Sequence, residues 1–180
     1  MLIVNEKGSD FIKHEFVNDN TVLKLNEFYK GIAFQVTKMI PEEWDEVKIY
    51  GEVNPSAKTI FFYYLPAGVN EPIYSQTIPD KFSISAIDYL DAEDELSFLI
   101  EDLWEYTKGN YNEVWNNFTM SISKEGKLLV DFNYDLNEED NPTKTRIIWA
   151  YQHFGLVPTS QYGKDLLDEY LGNNPTSIDK

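Results

Sequence analysis

The chain has 180 residues, of which 42% are hydrophobic, and a formal net charge of −16 from 31 acidic and 15 basic side chains. This composition suits one compact domain with a hydrophobic core. The lack of cysteine excludes disulfides, thiolate metal ligands and cysteine nucleophiles, and it agrees with a reducing cytoplasm. The acidic surface disfavours direct contact with nucleic acid or anionic lipid, and it would either attract a basic protein partner or serve only to keep the protein in solution. No apolar stretch has the length of a signal-peptide core or a membrane span.

The first third of the chain predicts one helix followed by a strand. Residues 1–20 lack clear periodicity and suggest an N-terminal extension or an edge strand. Apolar side chains recur at helical spacing over 25–39. Pro41 ends this helix, because the residue before a proline disfavours the helical conformation. Apolar and polar residues then alternate over 47–53, which predicts a half-buried strand.

Four further strands are predicted from alternation and turn residues. Two of them cover 58–65 and 73–76. The other two, at 117–123 and 127–135, are joined by a short turn in which Gly126 suits a positive φ angle, so they predict a hairpin.

Two further helices have recognisable termini. One runs from about Asp91, a plausible N-cap, to Tyr106. The other begins with Asn141 as its cap and Pro142 as its first residue, and it ends at Gly155.

A last short helix is predicted at about 160–171, closed by Gly172. Because neighbouring strands are joined by short turns, the fold class is expected to be α+β, with an antiparallel sheet of about five strands and helices mainly on one face. The predicted organisation is an extension at 1–20, a single domain at 21–172 and a tail at 173–180.

The motifs of catalysis and cofactor binding are weak or missing. His14 and His153 are isolated from any nucleophile in a strand-turn-helix context, and there is no glycine-rich phosphate loop. The acidic segment 135–146 begins like a calcium loop but lacks its glycine and its final glutamate. We therefore expect no catalytic residue, no cofactor and no metal. A small enzyme that uses carboxylates near Arg146 and His153 is one alternative.

The segment "MIPEEWDEVKIYGEV", residues 39–53, crowds acids around a helix-to-strand junction. Glu42 and Glu43 could serve as a general acid and base, but nothing beside them in the sequence would separate their pKa values. We therefore interpret the segment as a structural corner in which Trp44 covers the core.

The predicted helix at 91–106 separates its side chains into two stripes. At 100° per residue, the core stripe consists of Ala92, Leu96, Leu99, Ile100 and Leu103. The opposite face gathers Asp91, Asp94, Glu101, Asp102 and Glu105. Phe98 falls within this acidic face, and the chain has no basic residue between Lys81 and Lys108. An aromatic side chain among acids is what a site for a basic, partly apolar surface would use.

The sequence therefore predicts a partner-binding surface on this helix. Glu138, Glu139 and Asp140, in the acidic segment before the next helix, are expected to contribute to it. The alternative is a solvated outer face with Phe98 tucked under a loop.

The helix after Asn141 is predicted to bury Ile147, Ile148, Tyr151 and Phe154. Arg146, Trp149 and His153 lie on its other side and could form a second contact patch. The competing interpretation is that Trp149 packs under the last helix while Arg146 pairs with an acid.

Several separated motifs resemble one known family. They are "YKGIAFQVTKMIPEEWDEVKIYGEV", "IFFYYL", "IPDKFSIS", "LSFLIEDLWEYT", "VWNNFTMSISKEGKLLVDFNYD" and "RIIWAYQHFGLVP". Over about 28–158 they resemble the YezG-type immunity proteins, also called the YezG/EsaG antitoxin family. The first 20 residues and the acidic segment 135–141 depart from the family pattern.

The resemblance implies a cytoplasmic antitoxin that binds and neutralises the nuclease domain of a polymorphic toxin exported by type VII secretion. It supplies no catalytic residue to carry over, which implies a non-enzymatic inhibitor. It leaves open the cognate toxin and the oligomeric state. The alternative is an acidic interaction module, or a nucleic-acid mimic, that acts on another basic protein of the host.

Overall fold

The computed structural model describes residues 3–4, 19–111, 113–135 and 141–173. The chain divides into two compact units, Met1–Leu136 and Asn137–Lys180. The first unit holds the sheet and three helices, and the second holds two helices. The single domain expected at 21–172 stays a prediction.

The strands are β1 (Ile3–Val4), β2 (Trp44–Val53), β3 (Lys58–Pro66), β4 (Ile73–Tyr74), β5 (Asn117–Ser123) and β6 (Leu128–Asn133). The helices are α1 (Asp19–Met39), α2 (Ile78–Phe82), α3 (Ala86–Asn110), α4 (Pro142–Phe154) and α5 (Gln161–Asn173). A single 3-10 turn, Ser75–Thr77, links β4 to α2.

One sheet contains all these strands in the order β1-β6-β5-β2-β3-β4. The strands from β2 to β6 are antiparallel to their neighbours, whereas the two-residue β1 runs parallel to β6 at the edge. The predicted α+β class with an antiparallel sheet of about five strands is therefore confirmed. The edge strand also agrees with one of the two interpretations of residues 1–20.

The hydrophobic core of the first unit lies between one face of the sheet and the pair α1 and α3. Alternation along each strand directs every second side chain to this face. The largest strand contributions are from Ile49, Phe62, Tyr64, Phe118 and Met120, all at most 1% exposed. This burial orients α3, because its apolar stripe has to face the sheet.

The corner after α1 is structural. Met39 and Ile40 are buried there, and α1 ends at Met39, two residues before the proline. The Glu42 carboxylate accepts a hydrogen bond of 2.7 Å from the Tyr64 hydroxyl. Trp44 is partly buried against the core.

Asp45 ties this corner to two loops. Its carboxylate accepts hydrogen bonds from the Gly68 backbone N–H at 2.8 Å and from Lys124 Nζ at 2.7 Å. The Gly68 hydrogen bond, followed by the Lys124 hydrogen bond, lowers the pKa of Asp45. Acids in this corner therefore serve as hydrogen-bond acceptors within the fold.

Two predicted helix starts were wrong. Helix α1 begins at Asp19, six residues before the first apolar position of its predicted stripe. Helix α3 begins at Ala86 with Ser85 as N-cap, whose Oγ accepts from the Asp88 N–H at 3.4 Å, so Asp91 is inside the helix. Serine is as good an N-cap as aspartate, and tertiary packing extends a helix beyond its periodic core.

The remaining differences concern short elements and one helix end. Strand β4 is only Ile73–Tyr74, because the chain turns into the 3-10 segment, and α2 was not predicted. Gly172 lies inside α5 instead of closing it. The predicted ends of α4 are confirmed, since Asn141 caps it through its side chain and Gly155 adopts a φ of 67°.

A buried hydrogen-bond chain anchors the loop that follows α3. Trp115, which is 1% exposed, donates from Nε1 to Thr107 Oγ1 at 2.8 Å. The Thr107 hydroxyl lies 3.0 Å from the Leu103 carbonyl, to which it can donate in turn. The Trp115 carbonyl accepts from Trp104 Nε1 at 3.2 Å. Every polar atom named in this hydrogen-bond network has a partner, as burial requires.

Thr107→Val keeps the shape of the side chain but removes the acceptor for Trp115 Nε1. We expect the free energy of unfolding to fall by about 1–3 kcal/mol, the usual cost of a buried unsatisfied donor. Chemical denaturation measures it. In a Trp115→Phe background the same substitution should cost clearly less, and equal costs in both backgrounds would contradict the assignment.

Gly51 lies where β2 faces the buried Phe118 ring. A Cβ atom at this position would lie 2.4 Å from Phe118 Cε1, and the ring is held by contacts with Trp115 and Phe132. We therefore expect Gly51→Ala to lower the free energy of unfolding by about 1–3 kcal/mol through overpacking.

Gly109→Ala is the matched control, because a Cβ there meets no atom within 4 Å. Its helical position predicts unchanged or slightly higher stability. Thermal and urea unfolding of the two variants compare them directly. If Gly51→Ala is as stable as Gly109→Ala, the expected clash between a Cβ at position 51 and the Phe118 ring is contradicted.

Candidate functional site

Helix α3 exposes a strongly acidic face to solvent. The 25-residue helix contains eight acidic residues and one lysine. Its core stripe is confirmed, because Leu96, Ile100 and Leu103 are buried while Ala92 and Leu99 pack partly buried against the core. On the opposite face, Asp91, Asp94, Asp102 and Glu105 are exposed and Glu101 is half-buried.

Phe98 lies in the middle of this face and is 63% exposed. Phe98 is two positions along the helix from each of the buried residues Leu96 and Ile100, so the helical twist turns it away from the core. The alternative in which a loop covers Phe98 is therefore wrong. An aromatic ring this exposed has apolar area available for a partner.

A lysine from a distant part of the sequence reaches this ring. Lys58, the first residue of β3, places Nζ 2.8 Å from Glu101 Oε2 and 5.7 Å from the centre of the Phe98 ring. The sequence pattern did not predict Lys58 at this face, because Lys58 and Glu101 are 43 residues apart along the chain and only the position of β3 beside α3 brings them together.

Two more lysines border the same face. Lys38 of α1 lies 4.0 Å from Glu95, and Lys108 lies 3.5 Å from Glu105 within α3. The acidic face is therefore bordered by Lys108 at the end of α3 and by Lys38 and Lys58 from other elements, and the absence of lysine between 81 and 108 does not reveal these two. These are exposed pairs, which contribute little to stability.

Glu93 is an acid of α3 that does not belong to the exposed face. Its carboxylate accepts a short hydrogen bond from the Gln76 side chain. Burial raises the pKa of Glu93, the Gln76 hydrogen bond lowers it, and the charge of Asp94 raises it. This acid therefore links the helix to the turn after β4.

The second half of the predicted site lies outside the described residues. Glu138, Glu139 and Asp140 belong to the segment between β6 and α4 that the structure does not describe. Their contribution to the surface of α3 stays a prediction.

On α4, the burial of Trp149 agrees with the interpretation that this side chain is packed, and it disagrees with a second contact patch that would include Trp149. Trp149 is buried at 5% exposure, together with Ile147 and Ala150, whereas Ile148, Tyr151 and Phe154 are only partly buried. The Trp149 ring lies 4.5 Å from that of His153. The buried face of α4 is thus rotated from the predicted one, and burial removes Trp149 from an exposed patch.

In the described part of the chain, no cluster of three or more acidic or histidine side chains has the arrangement of a metal site. None of the described helices combines the length and the apolar character that a membrane crossing requires.

The sequence of the chain is similar to those of known proteins of one family. The family model for "Immunity protein YezG-like" matches residues 25–168. "Immunity protein YezG" of Bacillus spizizenii is 33% identical over 157 residues, which is 86% of this chain and 98% of that protein. The protein of the same name from Bacillus subtilis is 29% identical over 150 residues, which is 82% and 99% of the two chains.

A staphylococcal protein is also similar. "Type VII secretion system protein EsaG" of Staphylococcus aureus is 29% identical over 141 residues, covering 77% of this chain and 86% of that protein. The family match covers α1 from residue 25 onward and the whole of the acidic helix α3. This chain belongs to the YezG-like immunity protein family.

Proposed function

We propose that this chain is a cytoplasmic immunity protein that binds and neutralises the nuclease domain of a toxin exported by type VII secretion. Its family and the names of its relatives support this proposal, since two relatives are named immunity proteins and one is named a type VII secretion system protein. The proposed action is binding alone, without catalysis.

The observation that carries the binding site is the exposed Phe98 within the acidic face of α3. A nuclease has to hold a phosphate backbone, and it does so with lysine and arginine side chains. A surface of carboxylates is complementary to such a groove. The ring of Phe98 would add an apolar contact at the centre of the interface, where contacts contribute most.

The carboxylates and the ring have different parts in the proposed mechanism. The net charge of −16 attracts a basic domain over a distance and speeds the encounter. The desolvated ring and its neighbours then slow dissociation. Once bound, Asp102 and Glu105 would occupy positive positions of the nuclease that a nucleic-acid phosphate needs, which would exclude the substrate.

We expect the association rate with the toxin nuclease domain to fall steeply with salt, because the steering charges are exposed and screened. Between about 0.05 and 0.5 M NaCl we expect the association rate constant to decrease about 10- to 100-fold, with a much smaller change in the dissociation rate constant. Stopped-flow or surface-binding kinetics measure both rates. An association rate that does not respond to salt would contradict the electrostatic part of the proposal.

Reversing three charges on α3, by Glu101→Lys, Asp102→Lys and Glu105→Lys together, should weaken binding about 10- to 100-fold and remove protection in a nuclease assay. The reason is that attraction becomes repulsion at the proposed interface. The binding constant and residual nuclease activity are the measurements.

The control for this variant reverses Glu71, Asp80 and Glu113, which are exposed and lie outside α3. It changes the net charge by the same amount. We expect it to slow association modestly and to keep full protection. If both triple variants protect equally well, α3 is not the binding surface.

A further inference from the structure

The outer side of α1 carries a second exposed phenylalanine. Phe34 is 66% exposed, close to the 63% of Phe98 on α3. Each ring lies two positions from a buried residue on either side: Ile32 and Val36 flank Phe34, and Leu96 and Ile100 flank Phe98. At 100° per residue, both rings therefore point away from the core.

The two rings lie on one surface, because α1 and α3 pack directly against each other. A Cβ at Gly31 would lie 3.5 Å from Leu99 Cδ2, and Gln35 Nε2 donates to the Ala92 carbonyl at 2.9 Å. The later residue of α1 therefore contacts the earlier residue of α3, so the two helices are antiparallel. Phe34 lies between the two α1 contacts and Phe98 lies between the two α3 contacts, so both rings belong to the same stretch of the paired helices.

Each ring has the same pair of charged neighbours. At Phe98, Lys58 is held by Glu101 at 2.8 Å with Nζ 5.7 Å from the ring centre. At Phe34, Lys38 donates to Gln35 Oε1 at 3.4 Å and lies 4.0 Å from Glu95, a looser pair, also with Nζ 5.7 Å from the ring centre. At each of these two places a lysine ammonium group lies near an aromatic ring and a glutamate carboxylate, and in both cases the glutamate belongs to α3.

Both arrangements suit an arginine better than a lysine. A guanidinium can stack on an aromatic ring and place two N–H groups on a carboxylate at once, whereas an ammonium is a single, strongly hydrated point. The lysine pairs are largely exposed, with side-chain exposures between 34% and 63%. Replacing the lysine of such a pair with a cation of the partner therefore costs little free energy.

We infer that the paired outer surfaces of α1 and α3 form one docking surface, and that arginines of the toxin take the positions that Lys38 and Lys58 hold in the free protein. This inference rests on the proposed function. Charge complementarity selects the occupant, because α3 supplies eight acids against one lysine while the two rings supply apolar area. Phe34 then anchors the partner as Phe98 does.

Lys58→Gln tests the exchange. The probe is a purified, catalytically inactive nuclease domain of a type VII-secreted toxin whose binding by the wild-type chain is measured first. Removing the resident lysine frees Glu101 and Phe98, so we expect dissociation to slow about two- to fivefold. In a Glu101→Gln background this gain should disappear.

Lys127→Gln, in the turn between β5 and β6, is the matched control, since it removes the same charge from an exposed position. It should speed association slightly and leave dissociation unchanged. If Lys58→Gln and Lys38→Gln behave like Lys127→Gln, the exchange of lysine for a partner's arginine is wrong.

Phe34→Ala tests whether α1 belongs to the surface. We expect about five- to thirtyfold weaker binding, mainly through faster dissociation, as for the loss of an interface anchor. Leu23→Ala is the control, because Leu23 is 61% exposed on α1 but three turns from Phe34. Equal binding by both variants would remove α1 from the docking surface.

The outcomes separate this inference from the proposed function. If the wild-type chain does not bind the nuclease domain, or if reversal of the α3 charges has no effect, the proposed function fails. If that reversal abolishes binding while Phe34→Ala, Lys38→Gln and Lys58→Gln match their controls, only the two-helix surface fails.

Discussion

The packing of α3 across the sheet is the constraint on which the rest of the structure depends. Leu96, Ile100 and Leu103 have to be buried over Ile49, Phe62 and Met120, since these side chains form one core. Once that stripe faces inward, the helical period turns the carboxylates and Phe98 outward. The exposure of this acidic face, which we propose as the binding surface, is therefore a direct consequence of core burial.

Helix α1 lies with α3 on the same face of the sheet, and core burial also orients it. Gly31 and Gln35 let α1 approach α3 closely, one through its small size and the other through a buried hydrogen bond to Ala92. The same approach brings Lys38 to Glu95. Lysines at the edges of the acidic face reduce repulsion among carboxylates in the free protein, and they remain exchangeable because they are exposed.

Acids have two different roles in this chain. Glu42 and Asp45 accept hydrogen bonds that hold the corner between α1 and β2, and Glu93 connects α3 to the turn after β4. The acids on the outer face of α3 make ion pairs at its edges or face water. The excess of negative charge thus combines structural acceptors with a surface suited to a basic protein.

The sequence by itself determined the helical and strand periods, the core stripe of α3, the acidic face with Phe98, and the family through its separated motifs. These depend on local chemistry: side-chain spacing, caps such as Asn141 and turn glycines such as Gly126. The start of α3 at Ser85, the rotated buried face of α4 and the position of Lys58 were missed. They depend on long-range packing, which selects which of several acceptable caps and faces is used and which brings Lys58 of β3 to Glu101 of α3, 43 residues later in the chain.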